Sequence, residues 1–456
     1  MRNRLRDSLA CLVIVVFCSC SSKPESLSAP SGAPIQAQEL MTDYIKFEFA
    51  VYYLPVPSEE PLAALDELLG NEFTEFQKVD EISESLAGQF VHPRVLTDVQ
   101  ESYAPPDIEF LQRFGFGISR EQAETLQNCT TALVLDFEFS KEDVWEGLRA
   151  ANELTSKVAR ATGGVLWDEE TRQVFTPDAW NERRLDDWNE GVPNISRHVT
   201  IHAYSTGEYA RAITLGMAKF GLPDIVIDGF PWSNNRSMGH IINLFSQAIA
   251  EGAAITTAGE FDLDIKQIKH PDVREPQLAS LKDNATAVAR LSLREGRWEE
   301  GDPNNRLVEI TFDRYSGNDV FAKQEEMASS LFGWEDSIDY VQHNDEIRAA
   351  SQRARRNLAA LKEAINAGLS PGEFIQVKAP FDTPDGGREW MWVEVTSWKG
   401  DKIRGLLKNE PFNIPDLHGG QVVEVPETDV FDYIRKFPDG TQEGNETGEL
   451  MAKEQQ

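Results

Sequence analysis

Hydrophobic and polar residues alternate at several points of this chain, and this period of two predicts strands with one buried face. Near the start, Ile45, Phe47, Phe49 and Val51 occupy every second position. Further along, the pattern predicts a unit of strand, helix and strand twice. The first copy is 131–139, 141–161 and 165–167, and the second is 198–204, 207–220 and 225–227. Two such copies in one domain favour an α+β sandwich.

The middle of the chain continues the mixture of strands and helices. A strand over 261–265 is followed by a long hairpin, formed by 285–293 and 307–312, and by a helix over 319–331. This region either extends the first sheet or forms a small α+β domain of its own. A polar helix with a narrow apolar stripe then connects it to the last domain.

The last part of the chain has the clearest strand pattern. Met391, Val393 and Val395 share one face of a strand, and a turn at Gly400 leads into the next strand. Gly405 lies in the middle of that second strand, where a glycine marks a bulge or a barrel corner. Short strands at this spacing favour a small, strongly bent barrel of the SH3-like type.

The N-terminus resembles the leader of a bacterial lipoprotein. Three arginines precede an apolar run from Leu9 to Phe17, which is too short to span a bilayer. The run ends before Ser19-Cys20, and this resemblance implies cleavage there and acylation of Cys20. The alternative is an ordinary signal peptide. With Ser21 rather than Asp after Cys20, the leader resembles that of lipoproteins that are sent on to the outer membrane. We therefore expect a lipid-anchored protein that faces the periplasm.

These patterns together predict an α+β protein. It comprises an N-terminal two-layer α/β sandwich with duplicated strand-helix-strand units and a C-terminal SH3-like β-barrel. The predicted segments are a signal peptide (1–19), a flexible tether (20–40), an α+β domain (41–255), an α+β region with a long hairpin (256–338), a connector helix (339–367), the barrel (368–436) and a disordered acidic tail (437–456).

The C-terminal pattern resembles a known family. The run Phe374–Phe381, a Trp-Val-Glu-Val strand beginning at Trp392, Asn409-Glu410-Pro411 and Asp432-Tyr433 resemble the bacterial, YegJ-like domain of unknown function 2314, over about 345–445. The stretch 161–168, with Gly163-Gly164 in its middle, faintly resembles domain of unknown function 4261. Neither resemblance implies an activity.

Three tryptophans of the predicted barrel are candidates for ligand binding. Trp390, Trp392 and Trp398 could form an aromatic platform, and Trp390 and Trp392 lie on the face opposite Met391 and Val393. The alternative is that a small barrel uses these large rings to fill its core or to pack against another domain.

A metal site is a second candidate. His198 and His202 are four residues apart on a predicted strand, so both would point to one face, and Asp228 ends the next strand. Two imidazoles and a carboxylate suit Zn²⁺. The alternative is that these histidines only pack, because no HExxH motif or cysteine partner accompanies them. We expect no cofactor.

The charge of the chain limits its partners. The net charge of −32 would repel nucleic acids and anionic membrane surfaces, so contact with the bilayer is expected through acylated Cys20 alone. We therefore expect a non-catalytic envelope lipoprotein that binds a protein or a cell-wall component. The alternatives are an immunity-type or stress-protective protein that neutralises a toxin, and a periplasmic metal-dependent hydrolase.

Overall fold

The structure is a computed structural model, and it describes residues 32–54, 56–82, 88–333 and 345–454. The predicted signal peptide, with Cys20, lies outside the described residues. The described part combines helices with three six-stranded sheets, which confirms the α+β class. None of its helices is both long enough and apolar enough to span a bilayer.

The first sheet has the strand order β2-β3-β4-β1-β5-β6. Its strands are β1 (Tyr44–Tyr53), β2 (Phe76–Lys78), β3 (Gln89–Leu96), β4 (Ala132–Ser140), β5 (Gly164–Asp168) and β6 (Gln173–Phe175). The helices that accompany it are α1 (Pro61–Asn71), α2 (Val99–Ser102), α3 (Ile108–Phe114), α4 (Arg120–Leu126), α5 (Val144–Thr162) and α6 (Pro177–Arg184). The first predicted strand-helix-strand unit is therefore confirmed as β4, α5 and β5.

Local sequence explains where the main helices of this sheet begin and end. Helix α5 ends at Gly163, which takes the left-handed conformation that a residue without a Cβ adopts at little cost. Helix α6 begins with Pro177 after Thr176, whose hydroxyl accepts a hydrogen bond from the Ala179 N–H. The alternation in β1 buries Phe47 and Phe49 on the side of α5, while the opposite side of the sheet packs against α2 to α4.

The second sheet has the order β12-β13-β14-β11-β10-β9. A short hairpin, β7 (Trp188–Asn189) with β8 (Val192–Pro193), precedes it. The strands of the sheet are β9 (Thr200–Thr206), β10 (Tyr209–Leu215), β11 (Asp224–Phe230), β12 (Glu260–Asp264), β13 (Val288–Glu295) and β14 (Leu307–Thr311). Its helices are α7 (Asn235–Ala250), α8 (Pro271–Ala279) and α9 (Val320–Phe332).

The second predicted unit is wrong. Residues 207–220, expected as a helix, form strand β10 and a short 3-10 turn. Gly207 takes a positive φ in the tight turn that joins β9 to β10, and the β-branched Ile213 and Thr214 suit a strand. The fold is thus one strand-helix-strand unit followed by a mixed sheet, in which two antiparallel groups of strands, β9 to β11 and β12 to β14, are joined by the parallel pair of β11 with β14. A boundary at 255 would also divide this sheet, because β11 pairs with β14.

The two sheets share one hydrophobic core. Buried residues of β1, β4 and α5 belong to the same cluster as those of β11, β13 and α7. The predicted tether also joins this core at its C-terminal end, where the Ile35 N–H donates to the Leu293 carbonyl at 3.1 Å. The described residues between 32 and 333 therefore form a single unit, which we call the body.

The third sheet forms a separate C-terminal unit with its own core. Its order is β18-β17-β16-β15-β19-β20, and the two outermost strands do not pair with each other. The strands are β15 (Phe374–Asp382), β16 (Arg388–Lys399), β17 (Lys402–Leu407), β18 (Val422–Pro426), β19 (Asp432–Lys436) and β20 (Gln442–Gly444), and the helices are α10 (Asp345–Arg355), α11 (Leu358–Ala367) and α12 (Glu446–Glu454). Among the described residues this sheet does not close into a barrel, so the predicted SH3-like barrel is not confirmed.

Two further predictions for the C-terminal region need correction. The predicted connector is two helices, α10 and α11, separated at Asn357. The predicted disordered tail contains β20 and α12 instead. Glu446 of α12 forms an ion pair with Arg353 of α10 at 2.6 Å, and the buried Asp432 carboxylate accepts a hydrogen bond from the Thr447 N–H at 2.9 Å. These contacts fix a segment whose composition alone indicates disorder.

Gly405 allows β16 and β17 to approach closely, as its position mid-strand predicted. The pairing of these strands shifts between Val395 and Ser397, and a Cβ on Gly405 would lie 2.1 Å from the Glu394 carbonyl oxygen. Because backbone would have to move, we expect Gly405→Ala to lower the free energy of unfolding by about 1–3 kcal/mol. Urea unfolding of the full chain measures this change.

Gly70→Ala is the matched control. Gly70 lies in α1 with no atom within 4 Å of the position of an added Cβ. Alanine favours a helix over glycine, so this variant should be as stable as the parent chain or more stable, by up to about 1 kcal/mol. Equal losses in the two variants would contradict the close approach at Gly405.

Candidate functional site

The three candidate tryptophans occupy different surroundings. Trp398 is buried in the C-terminal core, and its indole N–H donates to Glu427 Oε2 at 3.0 Å. The bulge between Val395 and Ser397 explains this position, because one extra residue turns Trp398 to the same side as Met391. The structure therefore does not place all three rings on one platform.

Trp390 and Trp392 lie on the other face of β16. Trp390 packs against Phe431, with ring centroids 4.6 Å apart, and belongs to a small cluster with Ile347 of α10 and Met451 of α12. Trp392 is partly exposed, and the Lys378 ammonium lies 5.7 Å from the centroid of its ring. Trp392 is thus the tryptophan of the three whose ring best fits a binding role.

A loop beside Trp392 carries a second aromatic residue into solvent. The Asn409 side-chain oxygen accepts a hydrogen bond from the backbone N–H of Trp392 at 2.7 Å. The Glu389 carboxylate accepts from the Phe412 and Asn413 N–H groups at 2.7 and 3.0 Å. Phe412, 64% exposed, is therefore held in place although its ring is open to solvent. We call Trp392, Lys378 and Phe412 the aromatic rim.

The face of β16 that carries Trp392 also contacts the body, through Glu394. The buried Glu394 accepts hydrogen bonds from the Ser233 N–H, at 3.1 Å, and from the Ser233 hydroxyl. Lys408 pairs with Glu325, and Arg404 pairs with Glu208 at 2.5 Å. Burial raises the pKa of Glu394 above its usual value, although Lys408 and Ser233 oppose this shift. These charge-assisted bonds fix the C-terminal unit on the body.

The predicted metal ligands do not come together. His198 lies after a 3-10 turn and not on a strand, and its buried ring stands edge-on to those of Trp188 and Phe220. Burial lowers the pKa of His198 well below its usual value and that of His202, in β9, to about 4. Asp228 lies 3.8 Å from Arg297. The described residues give these three side chains no common site.

Three charged side chains form a cluster in the interior of the body, which we call the buried ion cluster. Asp168 Oδ2 lies 2.9 Å from Arg184 Nη2 and 2.5 Å from Lys219 Nζ, and all three residues are buried. Burial alone would raise the pKa of Asp168, but the charges of Lys219 and Arg184 outweigh it and lower that pKa. Burial lowers the pKa of Lys219 to about 8, against the attraction of Asp168.

The buried ion cluster joins three parts of the body. Asp168 ends β5 of the first sheet, Arg184 ends α6, and Lys219 lies in the turn after β10 of the second sheet. The Arg184 guanidinium also donates to the Arg197 carbonyl, and the Thr171 N–H donates to Asp168 Oδ1 at 3.2 Å. With its charges engaged in this way, the cluster has a structural role.

A different histidine lies close to two carboxylates. One candidate ligand atom from each of Asp187, His270 and Asp272 lies within 4.8 Å of the other two. His270 and Asp272 flank Pro271 in the sequence, and this spacing of a histidine and an aspartate is the one local signal of the group. Asp187 is remote along the chain and joins them only through the packing of α8 beside the loop after α6, so the sequence pattern did not find the group.

Comparison with known proteins concerns the C-terminal unit. Residues 344–454 match the model of a family described as uncharacterized protein conserved in bacteria (DUF2314), which confirms that resemblance. A curated protein of Neisseria meningitidis serogroup B, named "Putative ankyrin repeat protein", is 32% identical over 105 residues. This alignment covers 21% of the present chain and 42% of that relative. No solved structure matches.

Breaking the buried ion cluster should destabilise the body strongly. Asp168→Asn preserves the shape of the side chain but removes the carboxylate that the buried Arg184 and Lys219 both contact. Loss of one partner of a buried ion pair costs about 3–5 kcal/mol. We expect a loss of this size in the free energy of unfolding, measured in urea by circular dichroism.

The matched control is the exposed pair of Asp66 with Lys78, at 2.6 Å. Solvent screens this pair, so Asp66→Asn should change the free energy of unfolding by less than about 1 kcal/mol. A result in which both substitutions cost the same would show that the buried ion cluster has no special structural weight.

Proposed function

We propose that this chain is a non-catalytic binding protein of the bacterial envelope, anchored through acylated Cys20 and facing the periplasm from the outer membrane. Its proposed partner is a protein with a basic surface, and the proposed contact is the aromatic rim. The leader sequence supports the anchor and the location. The position of Trp392 and Phe412 supports the contact.

The single observation that carries the binding role is the rigid presentation of Phe412. Glu389 accepts a hydrogen bond from the Phe412 backbone N–H, and the Asn409 side chain ties the same loop to the backbone of Trp392, while Phe412 stays 64% exposed. An exposed aromatic ring loses little conformational entropy on binding when its backbone is already ordered. Aromatic residues held in this way are typical anchors of protein interfaces.

The charge of the chain supports a basic partner. At −32, the chain attracts a positively charged protein and speeds their encounter, with a strong dependence on salt. A cell-wall component without positive charge would gain nothing from this field. A basic toxin would fit it as well as a structural envelope protein does, so the immunity-type role is the variant of the proposal that identification of the partner decides.

Capture from an envelope extract tests the binding role. The full chain, immobilised, should retain one partner, and the double variant Trp392→Ala with Phe412→Ala should bind it at least about tenfold more weakly, the loss expected of interface anchors. Trp298→Ala is the control, because Trp298 is a 58% exposed aromatic residue on the hairpin between β13 and β14 and is not part of the aromatic rim. Equal binding by the rim variant and the parent chain would contradict the proposal.

Replacement of Cys20 tests the anchor separately. In the bacterium that produces the chain, Cys20→Ser should prevent labelling with radioactive palmitate and move the protein from the membrane fraction to the soluble fraction, because the bilayer contact depends on the acyl chains. Cys129→Ser, at the buried cysteine, should leave both readouts unchanged. Membrane retention of unlabelled Cys20→Ser protein would contradict the anchor.

A further inference from the structure

His270 is a buried histidine whose ring has no hydrogen-bonding partner. The residue is 2% exposed, and neither Nδ1 nor Nε2 has a hydrogen-bond partner among the described residues. An imidazole nitrogen without such a partner in a protein interior is costly unless another group satisfies it. The ring therefore needs an explanation that the packing of the body does not supply.

The ring is directed at a carboxylate. His270 Nε2 lies 3.6 Å from Asp187 Oδ1, which is too long for a hydrogen bond. It is close to the separation of about 3.4 Å between two ligands of one tetrahedral ion with bonds of about 2.1 Å. Asp272, in the first turn of α8, supplies the third candidate atom, and all three atoms lie within 4.8 Å of one another.

Neighbouring residues position the Asp187 carboxylate and the backbone that carries His270. The Arg197 guanidinium forms an ion pair with Asp187, its Nε lying 2.9 Å from Oδ2, while the other carboxylate oxygen, Oδ1, lies on the side of His270. Glu251, at the end of α7, accepts hydrogen bonds from the N–H groups of Lys269 and His270 at 2.6 and 2.9 Å. The contact with Arg197 orients the Asp187 carboxylate, as groups next to the ligands do at metal sites.

We propose that Asp187, His270 and Asp272 bind a divalent transition-metal ion of the Zn²⁺ class. An imidazole ligand favours Zn²⁺ over Ca²⁺ and Mg²⁺, which prefer oxygen ligands, and two carboxylates balance the charge of a dication. Asp272 is exposed, so its side chain can move the short distance that closes the group around an ion. Three protein ligands leave at least one coordination position for water or for a small ligand.

This site would connect separate parts of the body. Asp187 follows α6, beside the first sheet, whereas His270 and Asp272 begin α8, beside the second sheet. A bound ion would therefore join the two sheets at a point distinct from the buried ion cluster. The site shares no residue with the aromatic rim. The proposal of a metal ion here therefore does not depend on the proposed binding of a partner.

Calorimetric titration with Zn²⁺ of the full chain, purified without a polyhistidine tag and treated with a chelator, tests the site. We expect one ion per chain and a rise in the unfolding temperature at saturating Zn²⁺, because the ion binds the folded state. Ca²⁺ in excess should not compete. Asp272→Asn should weaken Zn²⁺ binding at least tenfold, and His270→Ala should abolish it.

Two features keep this test decisive. Asp272 is exposed, so Asp272→Asn reports on the site even if the buried His270→Ala variant fails to fold. Glu275→Gln, on the same helix but outside the group, is the matched control and should bind Zn²⁺ as the parent chain does. Absence of binding, equal displacement by Ca²⁺, or equal weakening by Glu275→Gln and Asp272→Asn would each overturn the proposal.

Discussion

Asp168 is the carboxylate at which three parts of the chain converge, and the architecture of the body depends on how its charge is neutralised. A carboxylate buried without a partner would be strongly destabilising, so Arg184 and Lys219 have to reach it from α6 and from the turn after β10. This requirement links the first sheet, its last helix and the second sheet. The hydrophobic core that the two sheets share supplies the packing, and the charges fix how the parts align.

The C-terminal unit is held on the body by polar contacts. Its open sheet has its own core, and the face opposite that core meets the body through Glu394, Lys408 and Arg404. Since these contacts are polar and specific in geometry, they set the orientation of the unit as well as its position. These contacts also give the C-terminal unit, and with it Trp392 and Phe412, the fixed support that the proposed binding role needs.

The sequence predicted the elements whose patterns are local. The alternation in β1 follows from periodicity, and the irregular pairing of β16 with β17 follows from the glycine at position 405. The segment 207–220 was predicted wrongly because its apolar spacing fits a helix, whereas pairing with β9 and β11 favours a strand. Tertiary pairing of this kind overrides local preference.

The candidate functional residues divide in the same way, into those that a local pattern predicts and those that only the folded chain brings together. The alternation predicts that Trp390 and Trp392 share one face of β16. A single extra residue before Trp398 turns that side chain to the other face, and the periodicity of the sequence gives no sign of this residue. His198 and His202 were grouped because they were assumed to share a strand, and that strand begins only at Thr200. The buried ion cluster and the group around His270 join residues far apart in the chain, so only the folded arrangement brings them together.

The central claim is that the two sheets of the body form one cooperative structure around shared buried charges, on which the C-terminal unit is carried. Hydrogen exchange of the full chain in increasing urea, followed by mass spectrometry, tests it most directly by comparing peptides from β4 and β11. The account predicts that the amides of both strands lose protection at the same urea concentration. Loss of protection in one strand at a clearly lower concentration than in the other would contradict it.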